Sequence, residues 1–314
     1  MPKFSLIFIV KDSAELISCA LYSVELLQYD TNAFEVIVVD DGSDIPIQSS
    51  IQKTFGFNIS MIYAPRIEGV SSRARARNLG ANAAKGQYLI FVDGDHFVAP
   101  DFLQQYERYF TESPDRCVVL GKRHHILQQH YDEIINTIKC GSFELELSQE
   151  HYSLDERDFI LRNINTPFSE LLGRWYLFWS CNFCIKKNVF SEIGGFDENF
   201  IEWGVEDTEF GYRLLSHGYE FTIIDNYVWH FLQAQPITER KYQGWLHNIQ
   251  YFYHKYEDFR ILEQMTFDTL LFQNAFMPNK KQKDMVELFV EFEQKLRHLE
   301  SVDFPHRYTR KEHE

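Results

Sequence analysis

The chain has 314 residues, 45% of them apolar and 16% aromatic, and a formal net charge of −15. So acidic a chain lacks the basic field of a nucleic-acid binder, and no window approaches the run of about 18 apolar residues that crosses a membrane. Five cysteines, an odd number in a large chain, argue against a disulfide framework. Met1-Pro2-Lys3 leads straight into an apolar run that Lys11-Asp12 interrupts, which is not a signal-peptide pattern. A cytoplasmic protein is expected, with peripheral membrane association as an option.

In chain order, Phe4 to Val10 reads as a buried strand, and Lys11 to Leu27 as an amphipathic helix with Leu16, Ile17, Ala20, Leu21, Val24 and Leu27 at helical spacing. Phe34 to Val39 is a second strand, stopped by Asp40-Asp41-Gly42-Ser43. Ile47 to Phe55 suits a short helix and Ile59 to Tyr63 a third strand. Ser71 to Ala84 is a helix with Arg73, Arg75 and Arg77 in its first turns. Gly86 then enters a strand that ends in Asp93-Gly94-Asp95-His96. Strand and helix alternating three times predict an α/β fold with a parallel, doubly wound sheet.

Such sheets bind ligands beyond the carboxyl ends of their strands. Asp93 and Asp95 fall there, and hard oxygen ligands so spaced suit Mg²⁺ or Mn²⁺ shared with substrate phosphates. Gly94 allows a tight turn and the close approach of a bulky ligand. Asp-Gly-Asp is also a common surface turn, and Asp-Asp-Gly-Ser a good cap. Two acidic pairs at strand ends of one sheet are harder to explain by turns. Neither Gly-x-x-x-x-Gly-Lys-Ser/Thr nor Gly-x-Gly-x-x-Gly occurs, so a metal and arginine are expected to neutralise the phosphates.

Pro100 to Phe110 continues as a helix, and Cys117 to Leu120 as a strand leading to Gly121-Lys122-Arg123-His124-His125. Adjacent residues on a strand face opposite ways, so His124 and His125 are read as rim or core residues. Residues 128–172 form a helical, acidic insertion with no chemistry assigned. Trp175 to Ile185 has strand character, with Cys181 and Cys184 as buried thiols in preference to half a zinc site. From Glu206 a helix begins. Its dipole should hold Glu206 and Asp207 ionised in the first turn, as a general base requires. Trp203 offers a flat face for a sugar ring; the plainer alternative is a capped helix on an aromatic core.

Phe221 to Ile224 is a short strand, and His230 beyond it is placed to complete a metal shell. Phe231 to Gln243 has the polarity of a lid. Tyr242 to Tyr256 is an aromatic helix. Met285 to Leu299 is an amphipathic helix, expected to pack on the core or form a homodimer contact. Arg307 to Glu314 is expected to be frayed.

Val38-Val39-Asp40-Asp41-Gly42-Ser43, Arg77-Asn78-Leu79-Gly80, Phe91-Val92-Asp93-Gly94-Asp95, Gly194-Gly195-Phe196-Asp197 and Trp203-Gly204-Val205-Glu206-Asp207 together resemble the GT-A fold glycosyltransferases of family 2. The tryptophan-containing motif is most similar to the galactosyl- and N-acetylgalactosaminyl-transferase branch, including the chondroitin polymerase domains. The resemblance covers roughly residues 3–256. It implies a GT-A, Rossmann-like, mostly parallel sheet flanked by helices, with a helical insertion and a C-terminal helical extension. A transferase domain would occupy 1–260, with a nucleotide-binding half at 1–120 and an acceptor and catalytic half at 121–260; the extension would be 261–314.

The resemblance also implies roles. Asp40 or Asp41 would bond the uracil and ribose of a UDP-sugar, and Arg73 and Arg77 would lie near the diphosphate or pin the acids. Asp93 would contact ribose or donor sugar, and Asp95 with His230 would bind the metal. Glu206 would touch a sugar, and Asp207 would be the base in an inverting transfer. The acceptor would be a saccharide, a lipid-linked sugar or a peptide. Three alternatives stand beside this reading. Trp-Gly-Gly-Glu occurs in retaining transferases that modify polypeptides, although here Val205 replaces the second glycine. A nucleotidyltransferase should carry a glycine-rich, lysine-bearing loop, which Val10-Lys11-Asp12-Ser13 is not. A non-catalytic carbohydrate-binding protein is opposed by intact acids at every station.

Overall fold

The computed structural model describes residues 1–302 apart from 52, 68, 71, 113–116, 143–146, 148–149, 233–236 and 277–283. Part of the expected lid, and the expected frayed end, lie outside the described residues. The first half alternates as its apolar runs require: β1 (Phe4–Val10), α1 (Ala14–Glu25), β2 (Phe34–Asp40), β3 (Asn58–Tyr63), α2 (Arg73–Ala83) and β4 (Tyr88–Asp93). β1, β2, β3 and β4 pair in parallel in the order β3-β2-β1-β4.

Both faces of this sheet are covered, which is why its central strands are largely apolar; the polar exceptions Ser5 and Glu35 are buried and bond each other at 2.7 Å. Leu6, Phe8, Val36, Val38, Ile90 and Val92 face α1, while Ile7, Ile37, Val39, Leu89 and Phe91 face the alanines of α2. Beyond Ile47–Ser49, a single short 3₁₀ turn, the helix expected through Phe55 does not form.

The second half is mixed. It comprises β5 (His96–Val98), α3 (Phe102–Glu112), β6 (Cys117–Ile126), α4 (Tyr131–Lys139), β7 (Tyr152–Leu154), α5 (Glu156–Asn163), β8 (Asn182–Lys186), α6 (Lys187–Glu192), α7 (Glu206–Ser216) and β9 (Glu220–His230). The sheet continues β4-β8-β6-β9-β5, with β7 beside β6. β6 and β9 are parallel, whereas β4–β8, β8–β6, β6–β7 and β9–β5 are antiparallel. The α/β class with its flanking helices stands, and the parallel character is confined mainly to the first half.

Two strand boundaries differ from the expectation. Residues 175–181 form no strand: Trp175 and Leu177 bury themselves in one apolar cluster and Phe178 in another before β8 begins at Asn182. β9 runs eleven residues, so His230 is its last residue and does not lie beyond it.

α8 (Glu239–Tyr256), α9 (Phe259–Phe276) and α10 (Met285–Ser301) close the chain. They share one apolar cluster with Trp175, Leu177, Phe200 and Val205. Leu288, Phe289, Phe292 and Leu296 of α10 are buried in it, and Glu293 accepts from the N–H groups of Leu172 and Gly173. Of the two roles expected for this helix, packing on the core is the one these contacts show. Among the described residues, no helix is long and apolar enough to cross a membrane.

Candidate active site

β4 ends at Asp93, and two residues later β5 joins the opposite edge of the sheet. There its register sets His96 opposite His230 of β9, and β9 in turn sets His230 opposite His125 of β6. Directly opposed residues on neighbouring strands share a face, so His125, His230 and His96 form a row. Asp95, one residue before β5, lies against it. Its carboxylate is 3.2 Å from His230 Nε2 and 2.6 Å from His96 Nδ1. Asp95, His96 and His230 together could hold a metal ion. Despite the cost of burial, the imidazoles hold Asp95 well below the usual carboxylate range. Burial and the neighbouring His96 push His230 down to about 4, leaving its ring neutral, the form that ligates a metal.

The row is buttressed from the insertion. His125 Nδ1 is 3.0 Å from His230 Nδ1, and His125 Nε2 is 3.5 Å from Glu156 of α5. Burial notwithstanding, that contact with His125 keeps Glu156 down at about 2. His124, on the other face of β6, stacks on Tyr152 and lies 3.7 Å from Asp158. Both histidines are buried, as expected, but His125 reaches the metal-ligand group through His230. Cys181 and Cys184 are buried free thiols, also as expected.

Gly94 also has a packing reason. A Cβ there would meet Val10 Cβ at 2.7 Å, and the Gly94 N–H donates to Ile9 at 2.8 Å, so close packing on β1 demands glycine. Asp40 spends both oxygens on its own turn, accepting from Ser43 and Ile47 at 2.8 Å each. Asp41 accepts from Ser72 N at 3.2 Å, and burial pushes its carboxyl up.

A cavity of about 340 Å³ opens beside these strand ends. Its lining includes the charged residues Arg73, Arg77, Asp93, Arg123, Glu206 and Asp207, the rings of Tyr176, Trp179, Trp203 and Phe272, and Gln264 and Asp268 of α9. Arg77 is buried and pairs with Glu206 at 3.0 Å and Asp93 at 3.4 Å. It thereby joins α2, β4 and α7. Removing one partner of a buried pair leaves a stranded charge, at a cost of about 3–5 kcal/mol. Arg77→Met is expected to lose stability of that order in urea melts, and a loss below about 1 kcal/mol would show that the pair is not structural.

Asp207 departs from the expectation. It does sit in the first turn of α7, accepting from Thr208 N at 2.9 Å. Yet burial, and then repulsion from Glu206, push it up to about 7 against the pull of Arg77. Desolvation outweighs the helix dipole here, and the carboxyl is balanced between its two forms near neutral pH.

Several lining residues escaped the sequence. Arg123 lies two residues before His125 on β6 and so shares its face, a clue available from their spacing. Gln264, Asp268 and Phe272 belong to α9, in the stretch expected to be an extension beyond the transferase domain. Burial pushes Asp268 up to about 6, although it accepts from Tyr176 at 3.0 Å and Trp245 at 3.1 Å.

Among solved structures, TarS of S. aureus has the same fold: TM-score 0.58 at 16% identity, covering 95% of this chain and 83% of that one. That protein has also been solved with UDP-GlcNAc. A mannosyltransferase of Pyrobaculum calidifontis, solved with GDP-Man and Mn²⁺, gives a TM-score of 0.52 at 14% identity, covering 94% of this chain and 70% of that one. These neighbours place the chain in the GT-A fold. Among curated proteins, the hyaluronan synthase of Pasteurella multocida is 30% identical over 225 residues, 66% of this chain and 22% of that protein. The first five curated relatives are covered over only 22% to 54% of their length. The model of a family described as glycosyltransferase like family 2 matches residues 14–283, which take in every carboxylate and histidine of this site, so the protein belongs to that family.

Proposed function

We propose that the protein transfers a hexosyl or N-acetylhexosaminyl group, of the galactose, N-acetylgalactosamine or glucose type, from a UDP-sugar to an acceptor hydroxyl with inversion. The observation that carries this reading is the place of Asp207, which lines one cavity with Glu206, three arginines and several aromatic rings; burial pushes its carboxyl up to about 7. A general base works best when its pKa lies near the working pH.

Asp41 takes the nucleoside contact, since Asp40 is committed to its turn. Arg73 and Arg123 face the diphosphate, while Arg77 pins Glu206 and Asp93. Asp93 meets the ribose or the donor sugar, and Trp203 the face of a sugar ring. Asp207 takes the proton of the acceptor hydroxyl as that oxygen attacks the anomeric carbon in line.

Asp95 and His230 hold a divalent cation. A carboxylate oxygen with an imidazole nitrogen suits Mn²⁺ better than Mg²⁺, which favours oxygen alone. When bound, such an ion offsets the charge of the departing diphosphate. The half-buried rings of Tyr176, Trp179, Trp203 and Phe272 favour a saccharide acceptor over a peptide. The complexes named above support a nucleotide-sugar donor and Mn²⁺. The test is UDP release from a panel of UDP-sugars with Mn²⁺, with and without EDTA. Turnover with at least one donor, lost on chelation, is expected. Sugar binding with no UDP release would leave a carbohydrate-binding protein instead.

A further inference from the structure

Away from the cavity, a second group of metal-ligating side chains meets at the base of the insertion. His130 immediately precedes α4, Glu133 lies in its first turn, and His151 immediately precedes β7. Their ligand atoms all lie within 4.8 Å of one another. His130 Nδ1 is 3.6 Å from the Glu133 carboxylate, and the His130 and His151 rings have centroids 4.7 Å apart.

The backbones carrying these groups are fixed. The His130 N–H donates to the Leu127 carbonyl and the Leu127 N–H to the His151 carbonyl, each at 2.9 Å. One residue just past β6 thus anchors both histidines. The side chains are partly or fully exposed, so they turn at little cost and leave one side open to water.

Two imidazoles and a carboxylate are the ligands of a zinc site with three protein donors and one open position. Bonds of about 2.0–2.2 Å place tetrahedral ligand atoms roughly 3.4 Å apart. Side-chain rotation closes the remaining gap. Two nitrogen donors disfavour Mg²⁺ and Ca²⁺, and the net charge of −15 draws cations in.

We infer that His130, Glu133 and His151 form a second divalent-cation site, selective for zinc, that braces the insertion against the end of β6. It is separate from the Asp95–His230 pair and uses none of its residues.

Calorimetric titration of the chelator-stripped full chain with ZnCl₂ tests this, in an Asp95→Ala background that removes the other site. One zinc per chain is expected there. Adding His130→Ala and His151→Ala should weaken it at least tenfold, with an unchanged circular dichroism spectrum. His151→Gln alone, which keeps bulk and polarity, should do the same if the triple variant folds poorly. Thermal melts should rise with zinc in the Asp95→Ala parent and not in these variants. No zinc binding in the Asp95→Ala parent, or less than a tenfold change on losing the histidines, overturns the site.

Discussion

Asp207→Asn is expected to bind UDP-sugar as the wild type does and to lose transfer by about 10²–10⁴, the usual cost of removing a general base. Asparagine keeps the shape and the contact to Thr208 N but cannot take a proton. The wild-type rate should rise with pH through about 7, where the carboxyl becomes ionised, and the variant should lack that limb.

Stability should move the other way. A carboxyl whose folded pKa lies above its unfolded value, about 3.9, contributes stability that is complete below that value. This contribution is lost as pH rises through the folded pKa. At pH 8 the wild type carries a buried charge at Asp207 that asparagine lacks, so the variant should melt no lower than the wild type, and higher if anything. Transfer at a near wild-type rate, or a pH profile that keeps its acid limb, would falsify the assignment.

Asp95→Ala should abolish Mn²⁺-dependent UDP binding while leaving the fold intact. The loss should exceed the 10- to 100-fold that removal of an outer-shell partner typically costs, because this carboxylate is itself proposed as a ligand. The fold should survive because Asp95 sits in a partly exposed turn. His96, pushed up to about 9 by Asp95 against the cost of burial, simply becomes neutral once its partner is gone. Calorimetry with UDP, with and without Mn²⁺, reads this directly, and unchanged affinity in the presence of the ion would refute it.

The parallel half of the fold was legible because β1, β2 and β4 are largely apolar runs, and β2 and β4 end in acid. Such strands leave little choice of class or of ligand-binding edge. The meeting of Asp95 with His230 was anticipated as well, from residues 135 positions apart, though through resemblance rather than periodicity. The strand register that produces the meeting was not visible. β5 is only three residues long, too short to show a period, and its partner is the far end of β9.

The insertion was harder still. Glu156 and Asp158 look like ordinary solvated acids until β7 brings α5 beneath His124 and His125. Long-range pairing made their role, and local pattern cannot carry it. The proton affinity of Asp207 was misjudged for a related reason. The helix start is written in the sequence, but the surroundings of Asp207 are set by distant residues, Trp245 and those of α9, that line the same cavity.

The contact between His125 and His230 has one further chemical consequence. Two neutral imidazoles whose Nδ1 atoms face each other can share only one hydrogen. If His230 is to keep Nε2 bare for a cation, that hydrogen must sit on its own Nδ1. His125 must then accept it and carry its own hydrogen on Nε2, toward Glu156. The tautomer of the ligand is thus dictated two side chains away, by a carboxylate of the insertion. A graft that exchanged this segment for a shorter loop would alter the electron richness of His230 without touching the ligand itself.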